Sequence, residues 1–248
     1  MGFTNVFKRY ELKYLLTEEQ MRTILEKSAE YIRGDEYGKS TICNIYYDTP
    51  DSLLIRRSLE KPVYKEKLRL RSYGVAKANT PVFAEIKKKY GGVVYKRRIH
   101  TNEKQAIALC KGIAPTDRSQ ITDEILYFVR RYENLEPAMF ISYEREAFYA
   151  KNNSDFRITF DRNILWRDED LTLSKGVYGT PILQDNQVLM EVKCPGAMPL
   201  WFVSILTAIV VQKTSFSKYG NAFTAKMSKG LQTYKPIKEE PMRRKQVC

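Results

Sequence analysis

The chain has 248 residues, with 42 Lys+Arg against 29 Asp+Glu and a formal net charge of +13. Hydrophobic residues make up 43%, which excludes a disordered polyelectrolyte and leaves a folded, basic protein suited to a polyanionic partner. Its four cysteines (Cys43, Cys110, Cys194, Cys248) show no CxxC and no paired spacing, so a disulfide framework is excluded and a reducing compartment is expected.

The first residues, MGFTNVFKRYELKY, carry charges where a signal peptide needs an apolar run. Val6 breaks the myristoylation pattern that Gly2 begins. VFKRYELKY alternates and predicts a strand, after which Thr17 caps a helix with Gln20 completing a capping box. STICNIYYD, residues 40–48, is β-branched and aromatic and predicts a strand that Pro50 helps to end. KEKLRLRSYG, residues 65–74, places Lys65, Lys67, Arg69 and Arg71 on one strand face and Leu68 and Leu70 on the other, with Glu66 the polar exception. VFAEIKKKYGGVVYKRRI predicts a hairpin about Gly91-Gly92, with Tyr90 opposite Val93, Lys87 opposite Lys96 and Glu85 opposite Arg98. Helices are predicted near 102–111, ending at Gly112, and near 120–133. MFISYEREAFYA and DFRITFDRNI predict another antiparallel pair, and VLMEVKC a further strand.

MPLWFVSILTAIVV, residues 198–211, is shorter than the ~20 residues that cross a bilayer. It predicts a helix buried within the fold, with Pro199 in its first turn, and a last helix is predicted from Ser217. No low-complexity linker or fixed-period repeat interrupts the chain. We therefore expect one α+β domain over 1–231, dominated by antiparallel sheet, and a basic tail over 232–248. With no transmembrane segment predicted, the expected location is cytoplasmic.

Charge recurs on one face from strand to strand. Arg9, Glu11 and Lys13 share parity; so do Glu85 and Lys87, Tyr143 and Arg145, Arg157, Thr159 and Asp161, and Glu191 and Lys193. The opposite parity holds Leu12, Ile158, Phe160 and Val192. If helices cover the apolar face, the charged face looks inward, and a closed barrel with flanking helices satisfies both demands. Same-face neighbours roughly 7 Å apart repel by about 0.6 kcal/mol in water and about 2.4 kcal/mol at an effective dielectric near 20. Such an interior calls for water, counter-ions or a polyanion, and a phosphate chain is the natural filling.

The acids on that face read either as charge-balancing partners or as metal ligands. Glu191 is the better metal candidate, because Mg²⁺ or Mn²⁺ takes one or two carboxylates plus phosphate oxygens. Other chemistries find little support, with no P-loop, no GxGxxG after a strand and no nucleophile elbow. His100, the one histidine, is expected at the surface; Tyr46, Tyr47 and Tyr95 are expected in the core or at a rim. No aromatic-interleaved strand suggests nucleic-acid binding.

RYELKY, YYDTPDSLLIRRSLEKPVYKEKLRLRSYG, FAEIKKK, YEREAF, DFRITFD, LMEVK and FSKYG occur in this order across residues 1–230. In that series the chain resembles VTC-type polyphosphate polymerase domains, within the triphosphate tunnel (CYTH-like) superfamily. The resemblance implies an antiparallel β-tunnel that binds triphosphate with Mn²⁺ or Mg²⁺ and moves the γ-phosphate of ATP onto a growing polyphosphate chain. Carried over by position, Lys13, Arg56, Arg69, Arg71, Lys87, Arg145, Arg157 and Lys193 would bind phosphate, with Arg69, Arg71 and Lys193 at the transfer itself. Arg57 stands beside Arg56 as the alternative inward residue. Glu191 resembles the metal-binding glutamate, and Ser217 and Lys218 the segment that closes on the phosphates. The hairpin register adds Lys96 and Arg98.

Hydrolytic relatives of this superfamily begin with ExExK, whereas this strand reads Arg9, Glu11, Lys13. Loss of the first carboxylate argues against a two-metal triphosphatase. A terminal phosphate acceptor is already anionic and needs no general base. A triphosphatase on the same fold, and a non-catalytic polyphosphate or inositol-phosphate binding module, remain the alternatives. The tail KPIKEEPMRRKQVC is either a solvated end or a dock for a membrane protein that receives the product.

Overall fold

A computed structural model describes residues 10–91 and 93–233, and among these, strands and helices follow the predicted order with three additions. Strand β1 (Tyr10–Thr17) runs into helix α1 (Glu18–Ser28). The expected capping box closes that junction: Gln20 N–H donates to Thr17 Oγ1 at 3.1 Å and Thr17 N–H to Gln20 Oε1 at 3.0 Å. Short β2 (Ile32–Gly34) precedes β3 (Ser40–Asp48), helix α2 (Leu53–Leu59) and β4 (Tyr64–Tyr73). The hairpin of β5 (Val82–Tyr90) and β6 (Val93–Thr101) has the expected register, Tyr90 facing Val93, Lys87 facing Lys96 and Glu85 facing Arg98. Gly91 supplies the left-handed backbone its turn requires, at φ 54°.

Helices α3 (Glu103–Cys110) and α4 (Gln120–Arg131) lead to the long pair β7 (Glu136–Ala150) and β8 (Asn153–Arg167). Then come β9 (Thr180–Pro181), β10 (Gln187–Cys194), α5 (Leu200–Ala208) and α6 (Lys218–Thr233). Pro199 caps α5 from outside rather than lying in its first turn. Helix α6 runs two residues past the expected boundary at 231, and Arg9, Cys248 and most of the expected tail lie outside the described residues.

The strands form one antiparallel sheet in the order β1-β10-β8-β7-β3-β4-β5-β6, with β2 beside β7 and β9 beside β8. Six steps separate β1 from β5, which in a flat sheet would put them roughly 29 Å apart. Yet Lys87 Nζ on β5 lies 3.4 Å from Glu11 Oε2 on β1. The sheet is therefore wrapped until its first and seventh strands face each other across the concave side. No ladder joins β1 to β6 among the described residues, so the ladder is an open one. The free edge of β1 is covered instead by the chain before α6: Thr214 N–H donates to Lys13 C=O at 2.7 Å, and Lys213 bridges Tyr14.

The convex side carries two apolar cores. Leu68, Leu70, Ile45, Ala84 and Ile86 meet Ala106, Leu109, Ile125 and Phe128 of α3 and α4. Ile158, Phe160, Val192 and Leu16 meet Met21 and Ile24 of α1 and Phe202 and Leu206 of α5. Glu66 points to this convex side and is only 5% exposed, because Tyr64 and Tyr132 each donate a hydroxyl hydrogen bond to it at 2.7 Å. The expectation of a helix wholly buried over 198–211 is corrected. Helix α5 turns Phe202, Ile205 and Leu206 inward but leaves Leu200 83% and Val203 39% exposed, because only one side of it meets the sheet.

The concave side is not charged throughout, as strand parity alone implied. One end is apolar: Ile42, Tyr46, Met139, Ile141, Ile164 and Leu189 pack there against Phe216, Tyr219 and Ala222 at the start of α6. Asp48, fully buried, fixes this plug to the sheet. Its Oδ1 accepts from the Thr49 and Leu54 N–H groups at 2.9 and 2.8 Å, and its Oδ2 from the Ile55 N–H and the Tyr219 hydroxyl at 3.0 and 2.8 Å. One carboxylate thus caps α2 and anchors α6. Asp48→Ala strands four buried donors and is expected to cost about 3 kcal/mol, read as a lower urea midpoint at unchanged slope.

Candidate functional site

Strand pairing brings the predicted residues onto one concave face, since directly opposed residues share a side. Lys13 faces Glu191, Glu11 faces Lys193, and Lys193 faces Arg157. Arg145 faces Asp161. On the other wall Arg69 stands between Tyr46 and Glu85, Arg71 opposite Asn44, and Lys67 opposite Lys87.

Each wall is organised by a carboxylate. On the β4–β6 wall Glu85, 1% exposed, holds Arg69 at 2.7 Å and Lys96 at 2.7 Å. Arg69 also donates to the Tyr46 hydroxyl at 3.1 Å, and Arg71 donates to Asn44 Oδ1 at 2.8 Å and the Tyr143 hydroxyl at 3.1 Å. On the β1–β10–β8 wall Asp161 takes both a Nε and a Nη2 bond from Arg145, at 2.5 and 2.6 Å. Lys218, at the first turn of α6, reaches over to Asp161 at 2.5 Å and Glu191 at 3.0 Å. Glu191 further meets Arg145 at 3.3 Å and Lys13 at 3.7 Å, so both its oxygens are engaged. Lys13 also donates to the Phe216 carbonyl at 2.7 Å, which ties β1 to the start of α6.

The cations Lys13, Lys65, Lys67, Arg69, Arg71, Lys87, Lys96, Arg98, Arg145, Arg157, Lys193 and Lys218 outnumber the carboxylates Glu11, Glu85, Asp161 and Glu191 by three to one. Two lysines show the strain of that ratio. Burial, reinforced by Arg145 and Lys87, pushes the Lys193 ammonium down to about 8 in spite of Glu191 and Glu11. Burial, with Lys65, Lys87 and Lys13 around it, pushes Lys67 down to about 8 as well. Glu11 and Glu191 move the other way. Burial works against charge on Glu11, but Lys87, Lys13 and Lys193 prevail and hold it at about 2. Glu191 is likewise held well below the usual range, because Lys218, Lys13, Arg145 and Lys193 together outweigh its burial. The face is thus preorganised, with Glu11, Glu85, Asp161 and Glu191 each already engaged by arginines or lysines, while Lys67 and Lys193 lack a full counter-charge.

The remaining predicted residues are placed differently. Arg56 is turned outward on α2, its side chain 52% exposed and bound to Asp51; Arg57 is also exposed. Arg98 lies opposite Glu85 in register, but its guanidinium is 4.8 Å over the Phe83 ring. Arg157 lies over Tyr149 and meets Asp35 at 3.6 Å. Ser217 Oγ accepts from Lys67 Nζ at 3.4 Å, which brings the start of α6 to the β4 wall. His100 is exposed, as expected, and Tyr47 lies in the convex core. Missed in the sequence was Asn44, whose parity with Tyr46 on its strand was the available signal; Tyr46, expected in the core or at a rim, and Tyr143, expected on the charged face beside Arg145, also aim the arginines. Among the described residues no group of three His, Cys, Asp or Glu gathers, so a metal here would rest on Glu191, with Glu11 nearby through their common partner Lys13.

Comparison with known proteins bears on the fold and the family. None of the curated proteins matches the chain. A candidate adenylate cyclase of Bacillus halodurans has a similar structure, with a TM-score of 0.52 at 13% identity, covering 86% of this chain and 94% of that one. A candidate adenylyl cyclase of Hippeastrum, whose dominant activity is that of a triphosphatase, has a TM-score of 0.50 at 13% identity, covering 88% and 95%. At such identity these likenesses speak for the fold alone. The family model of the VTC domain matches residues 8–226, nearly the whole chain, and the protein belongs to the VTC domain family.

Proposed function

We propose that the concave face is a triphosphate tunnel, formed by the wrapped sheet, in which the γ-phosphate of ATP is transferred to a growing polyphosphate chain. The observation that carries this reading is the surplus of half-buried cations whose carboxylates are already committed. A polyanion completes such a face with fixed partners for many cations at once. Arg69, Arg71, Arg145 and Lys13 are held by neighbours in fixed directions and would orient donor and acceptor phosphates against their repulsion. Lys193 and Lys67 would supply the uncompensated charge, and Ser217 and Lys218 would close on the phosphates from α6.

Glu191 would hold Mg²⁺ or Mn²⁺, with Glu11 as second carboxylate and phosphate oxygens completing the shell. This fits the donor set, since a hard cation takes one or two carboxylates beside phosphate. Bound there, the metal supplies charge neutralisation at the transferring group. No described histidine approaches Glu191, and a phosphate acceptor requires none. Among the described residues no helix is long and apolar enough to cross a membrane. A cytoplasmic setting, with product delivered to a membrane protein, belongs to the same reading.

Hydrolysis is the second reading, favoured by the Hippeastrum neighbour's activity. Incubation of the protein with ATP and Mn²⁺ separates them, since chains longer than triphosphate support transfer and free orthophosphate alone supports hydrolysis. Tight triphosphate binding without either product would leave a binding module, and absence of binding would overturn all three. Glu191→Ala is expected to abolish metal-dependent turnover while triphosphate still binds, as read by calorimetry.

Lys193→Met is expected to weaken triphosphate binding about tenfold, the scale of one charge-assisted hydrogen bond, and to raise the ligand-free unfolding temperature. Arg69→Ala should weaken binding as much but lower that temperature, because it leaves Glu85 buried with Lys96 as its main partner. The pH dependence has a fixed sign. Lys67 and Lys193 titrate near 8 without ligand, so they are charged below that pH and neutral above it. Anion binding draws them back toward their ordinary range. Calorimetry in buffers of different ionisation heat should therefore show proton uptake on binding near pH 8, reduced in Lys193→Met, and an affinity that falls as pH rises through 8.

A further inference from the structure

The cation row of β4 does not end at Arg71. Two residues on, roughly 7 Å along the strand, the same face carries Tyr73, 48% exposed. Its face is fixed by register: Tyr73 pairs with Ile42, which belongs to the concave apolar cluster. Arg71 itself is opposite Phe83, and Phe83 is opposite His100. The rings converge, Tyr73 meeting Phe83 edge-on at 5.8 Å and Phe83 lying 6.4 Å from His100. Arg98 is opposite Glu85 yet stacks on Phe83 at 4.8 Å instead of joining Arg69 and Lys96 on that carboxylate.

A strand that needed only phosphate contacts would continue in cations or end in small polar residues. Here an arginine that is 6% exposed gives way to the exposed rings of Tyr73 and His100, with the half-buried Phe83 between them under the exposed Arg98 guanidinium. Phosphate contacts on one side and stacking surface on the other match a single ligand class, a nucleotide extended along the strand. Exposed ring faces beside fixed cations are also how bases are held without hydrogen-bond reading.

Resting on the triphosphate reading above, we propose that Tyr73, Phe83, His100 and Arg98 form a nucleobase subsite. It would stack the base of a purine nucleoside triphosphate whose phosphates lie on Arg71 and Arg69. The subsite would distinguish a nucleotide donor from inorganic triphosphate or polyphosphate, which reach the same cations without it. Recognition is by stacking area, so purines are favoured over pyrimidines and adenine is not sharply separated from guanine.

The test compares ATP with inorganic triphosphate on the full chain by calorimetry with Mg²⁺, in wild type, Tyr73→Leu, Phe83→Leu and Tyr73→Trp. In the two leucine variants the ratio of ATP to triphosphate affinity should fall about fivefold or more, with triphosphate affinity changed less than twofold. Tyr73→Trp should keep or raise the ratio, and CTP should bind wild type more weakly than ATP. Tyr73 is half exposed, so its leucine variant retains the fold, which thermal unfolding checks. An unchanged ratio in both leucine variants, or an equal loss of both ligands, overturns the subsite while leaving phosphate binding standing. Failure of wild type to bind either ligand overturns the triphosphate reading and the subsite with it.

Discussion

Repulsion among cations sharing one concave face is the constraint on which the rest of this structure depends. Wrapping the sheet until β1 faces β5 brings Lys13, Lys65, Lys67 and Lys87 into one electrostatic neighbourhood. Left alone, that neighbourhood would open the sheet. Glu11 answers it locally by bridging Lys87 across the wrap at 3.4 Å, and Glu85, Asp161 and Glu191 each gather two or three cations. These pairs are better understood as struts than as sources of stability, because burying ions costs about what their attraction returns. Their effect is geometric, in that they hold arginine heads in fixed directions before any ligand arrives.

The helices make this arrangement possible from the other side. The convex cores under α1 and α5 and under α3 and α4 bury apolar area that offsets the cost of a charged interior. The concave apolar plug does a different job. By filling one end with Phe216 and Tyr219 it brings Ser217 and Lys218 against Lys67, Asp161 and Glu191. Asp48 is the hinge pin of that placement, since it caps α2 and binds Tyr219 with the same carboxylate. Packing at one end of the face therefore sets charge geometry in its middle.

What the sequence made legible follows from period and parity. A strand's alternation assigns faces without knowledge of partners, which is why the hairpin register, the capping box and most inward cations were readable. What it concealed depends on non-local pairing. Asn44 becomes a site residue, and Tyr46 and Tyr143 aim arginines, only because β3 lies beside β4 and β7. Arg56 is turned outward by a seven-residue helix, too short to announce itself by periodicity and capped by an aspartate five residues before its start. The apolar run at 198–211 has no polar side to betray which face meets solvent, so its exposure was invisible until the sheet beneath it was placed. The open ladder between β1 and β6 was equally hidden, because side-chain parity is the same in a closed barrel and in a tightly wrapped sheet.

Saturation of Glu191 has a further consequence for the proposed reaction. Its two oxygens already face Lys218, Lys13 and Arg145, so a divalent cation approaching alone meets an unfavourable field and an occupied ligand. Phosphates on the face would offer Lys218, Lys13 and Arg145 new partners and would free Glu191 to hold a divalent cation. On the proposed reading Lys218, at the start of a plug helix, is the cation best placed to change partners, so that a divalent cation and triphosphate would be taken up together. The surplus of charge on this face would then favour a metal-bound polyanion over either component alone.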